Sequence, residues 1–267
     1  MNIIKKIYIK LFKFIVSKLQ KNYKTKRLGT DYGGWNLIDF QELNNKTIIS
    51  AGCGEDISFD IEFLNMYGGK VILVDPTPRA INHLEQVMNS IGNKKTKDYI
   101  DGGNQQIESY NLEKVQTKQI IIKNFALYKK DGVTVKFYPP KNPEHVSHSI
   151  SNWQKGESDS NKSIEVETIT VKKLMEEHAL DKLELIKLDI EGAENQVLPS
   201  LIKNKIYPDQ ILVEFDELHT DSFISYFKAL VIILRLLYKK YVIIKTSKFP
   251  DMLFVKKEIL KQKIDYE

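Results

Sequence analysis

Cysteine is almost missing: Cys53 is the one cysteine in 267 residues. That count excludes an intrachain disulfide and a cysteine-rich zinc site, and it suits a reducing, cytoplasmic compartment. Long apolar runs are missing as well. Phe14-Ile15-Val16 is too short for the core of a signal peptide and no small-residue cleavage site follows; Ala229 to Leu237 is broken by Arg235 and bounded by Lys228, too short to cross a bilayer. The third absence is acid near the start. Residues 1–27 hold nine lysine or arginine residues and no aspartate or glutamate. Subtracting those nine leaves 31 basic against 35 acidic residues, so the body is mildly acidic and does not read as a nucleic-acid binder.

What is present is the composition of one ordinary α/β domain, 42% hydrophobic and 28% charged. In the basic segment Ile3, Ile7, Leu11, Phe14, Ile15 and Leu19 recur at helical spacing, which predicts an amphipathic helix within residues 1–30. It either packs on the main domain with its lysines in water or lies on the anionic inner face of a membrane. Residues 31–267 then form the main domain. In it, strand-length apolar runs (Thr47–Ala51, Val71–Asp75, Ile120–Asn124, Leu183–Asp189, Ile211–Phe215, Tyr241–Lys245) alternate with helical patterns, the signature of a doubly wound, mostly parallel sheet. A short turn at Ser247–Pro250 leads to Met252–Lys256, and so short a connection permits only an antiparallel return. Residues 92–118 and 139–163 read as insertions, the second as a loop on the acceptor side.

The first strand runs into Gly52-Cys53-Gly54-Glu55-Asp56, and Asp75-Pro76 ends the second strand, Asp75 lying 23 residues after Gly52. Two glycines in a strand-to-helix turn let backbone approach a ligand, and an acid at the second tip suits a ribose diol. Glu55 and Asp56 stand where a pyrophosphate would lie, which disfavours an NAD-dependent oxidoreductase and suits the ammonium and sulfonium of S-adenosylmethionine. Cys53 reads as packing, since neighbouring carboxylates raise a thiol's pKa.

The most specific string is Lys187-Leu188-Asp189-Ile190-Glu191-Gly192-Ala193-Glu194. It resembles the signature of the FkbM family of S-adenosylmethionine-dependent methyltransferases. Asp75-Pro76, Asn124-Phe125-Ala126-Leu127, Ser149-Ile150, Val166–Ile169 and Val213-Glu214-Phe215 agree in order, over about residues 47–219. The resemblance implies the class I methyltransferase fold, whose sheet is closed by one antiparallel strand, and O-methylation, often of a sugar hydroxyl in a glycan or its nucleotide-linked precursor. It places the cofactor on residues 52–56, Asp75, Pro76, Asn124 and Ala126. Asp189 and Glu191 are expected to position the reactants, with His219 as the base, because an imidazole titrates near neutrality. Mg²⁺ held by Asp189 and Glu214 is the less favoured alternative to that base, and no resident metal is expected. On the long loop His145, His148 and Trp153 are candidates for acceptor contact, with Glu214 beside them. Neither an Asn/Asp-Pro-Pro-aromatic string nor a Pro-Cys nucleophile follows the fourth strand, which disfavours nucleobase acceptors. A non-catalytic cofactor-binding scaffold docked through residues 1–27 is the reading from another class.

Overall fold

The computed structural model describes residues 3–138, 163–219, 222–246 and 248–264. The amino-terminal helix is α1 (Ile3–Leu19), followed by the short strands β1 (Gln20–Lys21), β2 (Lys26–Leu28) and β3 (Trp35–Leu37). The alternating core then runs β4 (Thr47–Ala51), α2 (Ser58–Tyr67), β5 (Lys70–Val74), α3 (Pro78–Asn89) and β6 (Ile120–Lys123). A side unit follows with β7 (Ala126–Leu127), β8 (Thr134–Phe137) and β9 (Ile164–Ile169), then α4 (Val171–Glu177). The second half is β10 (Leu185–Leu188), α5 (Glu194–Lys203), β11 (Gln210–Glu214), α6 (Phe223–Tyr238), β12 (Tyr241–Ile244), β13 (Asp251–Lys256) and α7 (Lys257–Ile264).

Eight strands form the main sheet in the order β1-β12-β13-β11-β10-β4-β5-β6, all parallel except β13, which runs against both neighbours. This is the expected class I methyltransferase layout. The central strands read as unbroken apolar runs because both faces are covered. Successive residues nevertheless feed different cores: Ile49, Ile72, Ile186 and Ile211 face α1, α4, α5 and α6, whereas Ile48, Val71, Leu185 and Leu212 face α2, α3 and α7. Local chemistry sets the helix starts. Pro78 opens α3 at a position whose N–H has no helical partner, and the Thr170 hydroxyl accepts from Lys173 N at the start of α4.

Several expectations change. The first helix stops at Leu19, and Gln20-Lys21 pair in parallel with Ile243-Ile244, so the segment up to residue 30 is joined to the sheet instead of forming one helix. Residues 92–118 are not an external insertion: Tyr110, Leu112 and Val115 are buried in the α2/α3 core, and the Tyr110 hydroxyl accepts from Ile57 N and meets His83 Nε2. The third strand ends at Lys123, one residue before Asn124. Hairpin β2-β3, the β7-β9-β8 sheet and α7 complete the fold. Among the described residues no helix is long and apolar enough to cross a membrane.

Candidate active site

Strand register brings the site together. Ala51 stands opposite Val74 on one side and Leu188 on the other, and Leu188 stands opposite Val213. The residues that follow, Gly52, Asp75, Asp189 and Glu214, therefore emerge level at one edge. The order in which strands are added to the sheet reverses between the parallel neighbours β4 and β10, where open α/β sheets bind their ligands. The two tips touch there: a Cβ on Gly52, whose φ is +76°, would stand 1.5 Å from the Asp189 carbonyl oxygen.

Two charged side chains hold the glycine turn. Asp75 Oδ2 accepts from Cys53 N and Gly54 N at 2.9 and 3.0 Å, while its Oδ1 accepts from the Thr77 N–H and hydroxyl at 2.9 and 2.7 Å. Those four bonds use the usual acceptor capacity of a carboxylate. From the other side Lys187, 3% exposed, donates from Nζ to the Gly52 carbonyl at 2.8 Å. Burial alone would lower the ammonium's pKa, but Asp189 and then Asp60 more than offset it and raise it.

The Asp189–Gly192 loop is shaped by Glu194, the first residue of α5. Its carboxylate accepts from Ile190 N at 2.8 Å and Gly192 N at 3.0 Å, and Glu191 takes a left-handed φ of +50° before Gly192 at +99°. A non-glycine residue in that region is held there by its surroundings. Glu194 thus ties down the loop that precedes α5, and Glu191 lies in the cavity wall.

That cavity, about 450 Å³, lies within the range of small-molecule sites. The glycine turn, Pro76 and Thr77 line one side; Asp189, Glu191, Glu214, Asp216 and His219 line the other. The second side is strongly acidic. Asp189 is pushed up to about 8 by burial and by Glu214 and Glu191, against the pull of Lys187. Asp251, paired with Glu214 across β13 and β11, is pushed up to about 6 by burial and by Glu214. Burial and then Glu194 raise Asp216 well above the carboxylate range. Asp216 Oδ2 and Asp251 Oδ1 are buried without hydrogen-bond partners, so two carboxylates face the cluster with unused acceptor capacity. His219 Nε2 lies 3.0 Å from Glu214 Oε1, and that hydrogen bond raises the imidazole's pKa against the effect of burial.

Most of the residues singled out in the sequence line this cavity: Gly52, Cys53, Gly54, Glu55, Asp56, Asp75, Pro76, Ala126, Asp189, Glu191, Glu214 and His219. Four of them, Glu55, Asp56, Asp75 and Cys53, have different surroundings from those expected. Glu55 is ion-paired with Arg79, and Asp56 accepts from the Thr30 hydroxyl at 2.6 Å and from Ser58 N at 2.9 Å. Neither carboxylate is left bare toward a ligand; the acid facing the cavity comes from β10, β11 and the turn after β11. Asp75 ties turns together, and the diol contact foreseen for it would have to replace a bond it already makes. Asn124 is exposed and outside the cavity lining, because the strand ends before it and Ala126 turns inward instead. Cys53 is buried with its thiol raised well above its ordinary range, by burial first and then by Asp75 and Asp60 in place of Glu55 and Asp56. His145, His148 and Trp153 lie outside the described residues.

A family model described as the methyltransferase FkbM domain matches residues 49–242. The chain belongs to the FkbM methyltransferase family. Among solved structures, a chain of a fibrillarin/Nop5p complex aligns over 79% of this chain and 71% of its own, at 11% identity and a TM-score of 0.37, too loose a likeness to support inference. No curated protein matches the chain significantly.

In this FkbM methyltransferase several lining residues escaped the sequence reading. Lys187 was legible: a lysine inside Leu185-Ile186-Lys187-Leu188, a strand covered on both faces, must have a buried partner. Tyr32 and Lys248, whose Nζ lies 5.9 Å from the Tyr32 ring centroid, gave no signal because distant loops bring them together. Asp251, which pairs with Glu214 just outside the cavity lining, was hidden for the same reason. For the less favoured cation alternative at Asp189 and Glu214 the grouping differs: among the described residues, Glu214, Asp216 and His219 are the group whose ligand atoms all lie within 4.8 Å of one another.

Proposed function

We propose that the protein transfers a methyl group from S-adenosylmethionine to a hydroxyl oxygen, with a sugar of a glycan or its nucleotide-linked precursor as the acceptor class. The observation that carries this reading is the His219–Glu214 pair on the cavity wall opposite the Gly52–Gly54 turn. A cavity lined by Asp189, Glu191 and Glu214 suits a cationic methyl donor, and its volume suits a nucleoside-sized ligand. When bound, S-adenosylmethionine supplies an electrophilic methyl on a cationic sulfur.

The remaining work belongs to the chain's own residues. The Gly52–Gly54 turn, fixed by Asp75 and Lys187, offers backbone at the switch point without side-chain bulk. Asp189 and Glu191 line the cavity and would help orient the acceptor hydroxyl for in-line attack. With Nε2–H donated to Glu214, His219 Nδ1 carries the lone pair that accepts the hydroxyl proton. Glu214 holds the ring in that tautomer and stabilises the imidazolium as it forms. The sugar as acceptor rests on the family resemblance alone.

The test is transfer of radiolabelled methyl from S-adenosylmethionine to a panel of sugar and nucleotide-sugar acceptors. A labelled O-methyl product, lost in His219→Asn while donor binding persists, supports the reading. Donor binding without transfer to any hydroxyl would favour the scaffold.

A further inference from the structure

The stripe that announces an amphipathic helix in the sequence is not the stripe on which α1 packs. Phe12 and Val16 are buried, and the Tyr8 ring lies 5.4 Å from Phe223 and 5.6 Å from Tyr226, so this side of α1 meets α6. Ile7, Leu11 and Phe14, more than half exposed, lie roughly opposite at about 100° per residue. Helix α6 repeats the arrangement. It buries Tyr226, Ala229 and Ile233 and exposes Phe223, Ile224 and Phe227 at 59, 63 and 57%. Eight of the twelve exposed large hydrophobic residues among the described ones lie on these two helices, which concentrates the apolar surface on one pair of neighbours.

Charge selects the partner. The two helices carry seven lysine or arginine residues and no aspartate or glutamate, in a chain with 35 acids. Lys10 and Lys13 border one edge of the exposed stripe of α1; Lys228 and Arg235 border one edge of that of α6. Apolar stripes bordered by cations, on helices unable to span, are suited to lying in the plane of an anionic interface while the lysine and arginine heads reach the phosphates.

The geometry points to α1 and α6 together as a face that docks on an anionic lipid bilayer. The two helices are joined to segments that carry cavity residues. Helix α6 begins four residues after His219, and the Tyr226 hydroxyl donates to the Leu218 carbonyl at 2.8 Å within the turn that carries that histidine. Lys13 Nζ lies 4.4 Å from the ring centroid of Phe249, next to the cavity residue Lys248. Docking therefore holds the catalytic edge at the bilayer surface, where a lipid-anchored acceptor would present its hydroxyl. That consequence rests on the methyl-transfer reading, whereas docking itself does not.

The test is co-sedimentation of the intact chain with vesicles of equal parts phosphatidylglycerol and phosphatidylcholine, and with phosphatidylcholine alone. Binding to the anionic vesicles is expected to be at least about tenfold tighter and to weaken about tenfold as salt rises from about 0.1 to 0.5 M. Replacing Lys10→Glu and Lys13→Glu together should weaken it by roughly 30-fold or more. The pair Lys94→Glu and Lys97→Glu, far along the chain on the 92–118 segment, should leave it unchanged. Leu11→Asp with Phe227→Asp should abolish it while circular dichroism and methyl-donor binding stay normal; if that variant does not fold, the lysine pair still decides. Equal binding to both vesicle types, or wild-type binding by the lysine-reversed chain, would overturn the proposal. So would light scattering that shows a dimer disrupted by Leu11→Asp and Phe227→Asp, since a second copy would then cover the face. Loss of vesicle binding with methyl transfer to a soluble acceptor intact separates failure here from failure of the catalytic reading.

Discussion

Replacing Lys187 by methionine tests how the site is held together. Methionine nearly preserves the volume of the side chain but removes the bond to the Gly52 carbonyl and the cation beside Asp189, Asp60 and Asp75. Leaving buried carboxylates without their counter-charge costs about 3–5 kcal/mol. For 267 residues, an unfolding entropy of about 2.1 cal/mol/K per residue makes each kcal/mol worth about 2 °C. At pH 8, where Asp60 is ionised and Asp189, at about 8, is half ionised, the variant should melt about 5–9 °C below the parent. At pH 5.5 most of both carboxyls is already protonated, so the loss shrinks toward that of one hydrogen bond, about 2 °C. Thermal unfolding followed by circular dichroism at the two pH values reads this directly. An equal loss at both, or a loss under about 2 °C at pH 8, would refute the reasoning.

Four further outcomes follow from the same geometry. Because the His219 pKa is raised by Glu214, the base is protonated at low pH and kcat/KM should rise with pH through an apparent pKa above 6.5; Glu214→Gln should move that limb to lower pH as well as lowering the rate. Glu217 and Asp189, raised to about 7 and about 8, are protonated in the native state where they are ionised in the unfolded one. The native state thus binds more protons, so the melting temperature should fall between about pH 6.5 and 8.5, and less steeply with saturating cationic donor present. Gly52→Ala puts a Cβ 1.5 Å from the Asp189 carbonyl oxygen at φ +76°, so soluble protein, if obtained, should show no calorimetric donor binding. Tyr110→Phe leaves the buried Ile57 N–H without its partner and should lower the melting temperature by about 2–5 °C, as scanning calorimetry would show.

The sheet was legible because its strands are buried on both faces and punctuated at Gly52, Asp75 and Gly192, where local chemistry and tertiary structure demand the same residue. The antiparallel closure was legible because so short a turn before Met252 allows no crossover. Other features depend on distant chain. Short strands such as Gln20-Lys21 and Ala126-Leu127 carry no periodicity and exist through their partners. Glu55 and Asp56 read as free carboxylates because Arg79 and Thr30, which occupy them, approach only after folding. The acids that face the cavity, Asp189, Glu191, Glu214 and Asp216, follow strand tips that the sequence marks, whereas Asp251 joins Glu214 only through the antiparallel pairing of β13 with β11. Helix α1 shows the reverse: its periodicity was plain, but only the fold reveals that Phe12 and Val16, not Leu11 and Phe14, face the core.

The most direct measurement is calorimetric titration of the intact chain with S-adenosylmethionine and S-adenosylhomocysteine, with NAD as the control ligand, on the parent and on Asp189→Asn. The account predicts micromolar binding of both adenosyl ligands and none of NAD. Removal of one acid should weaken the cationic S-adenosylmethionine more than its neutral-sulfur product. Binding of NAD, or of neither adenosyl ligand, would contradict it.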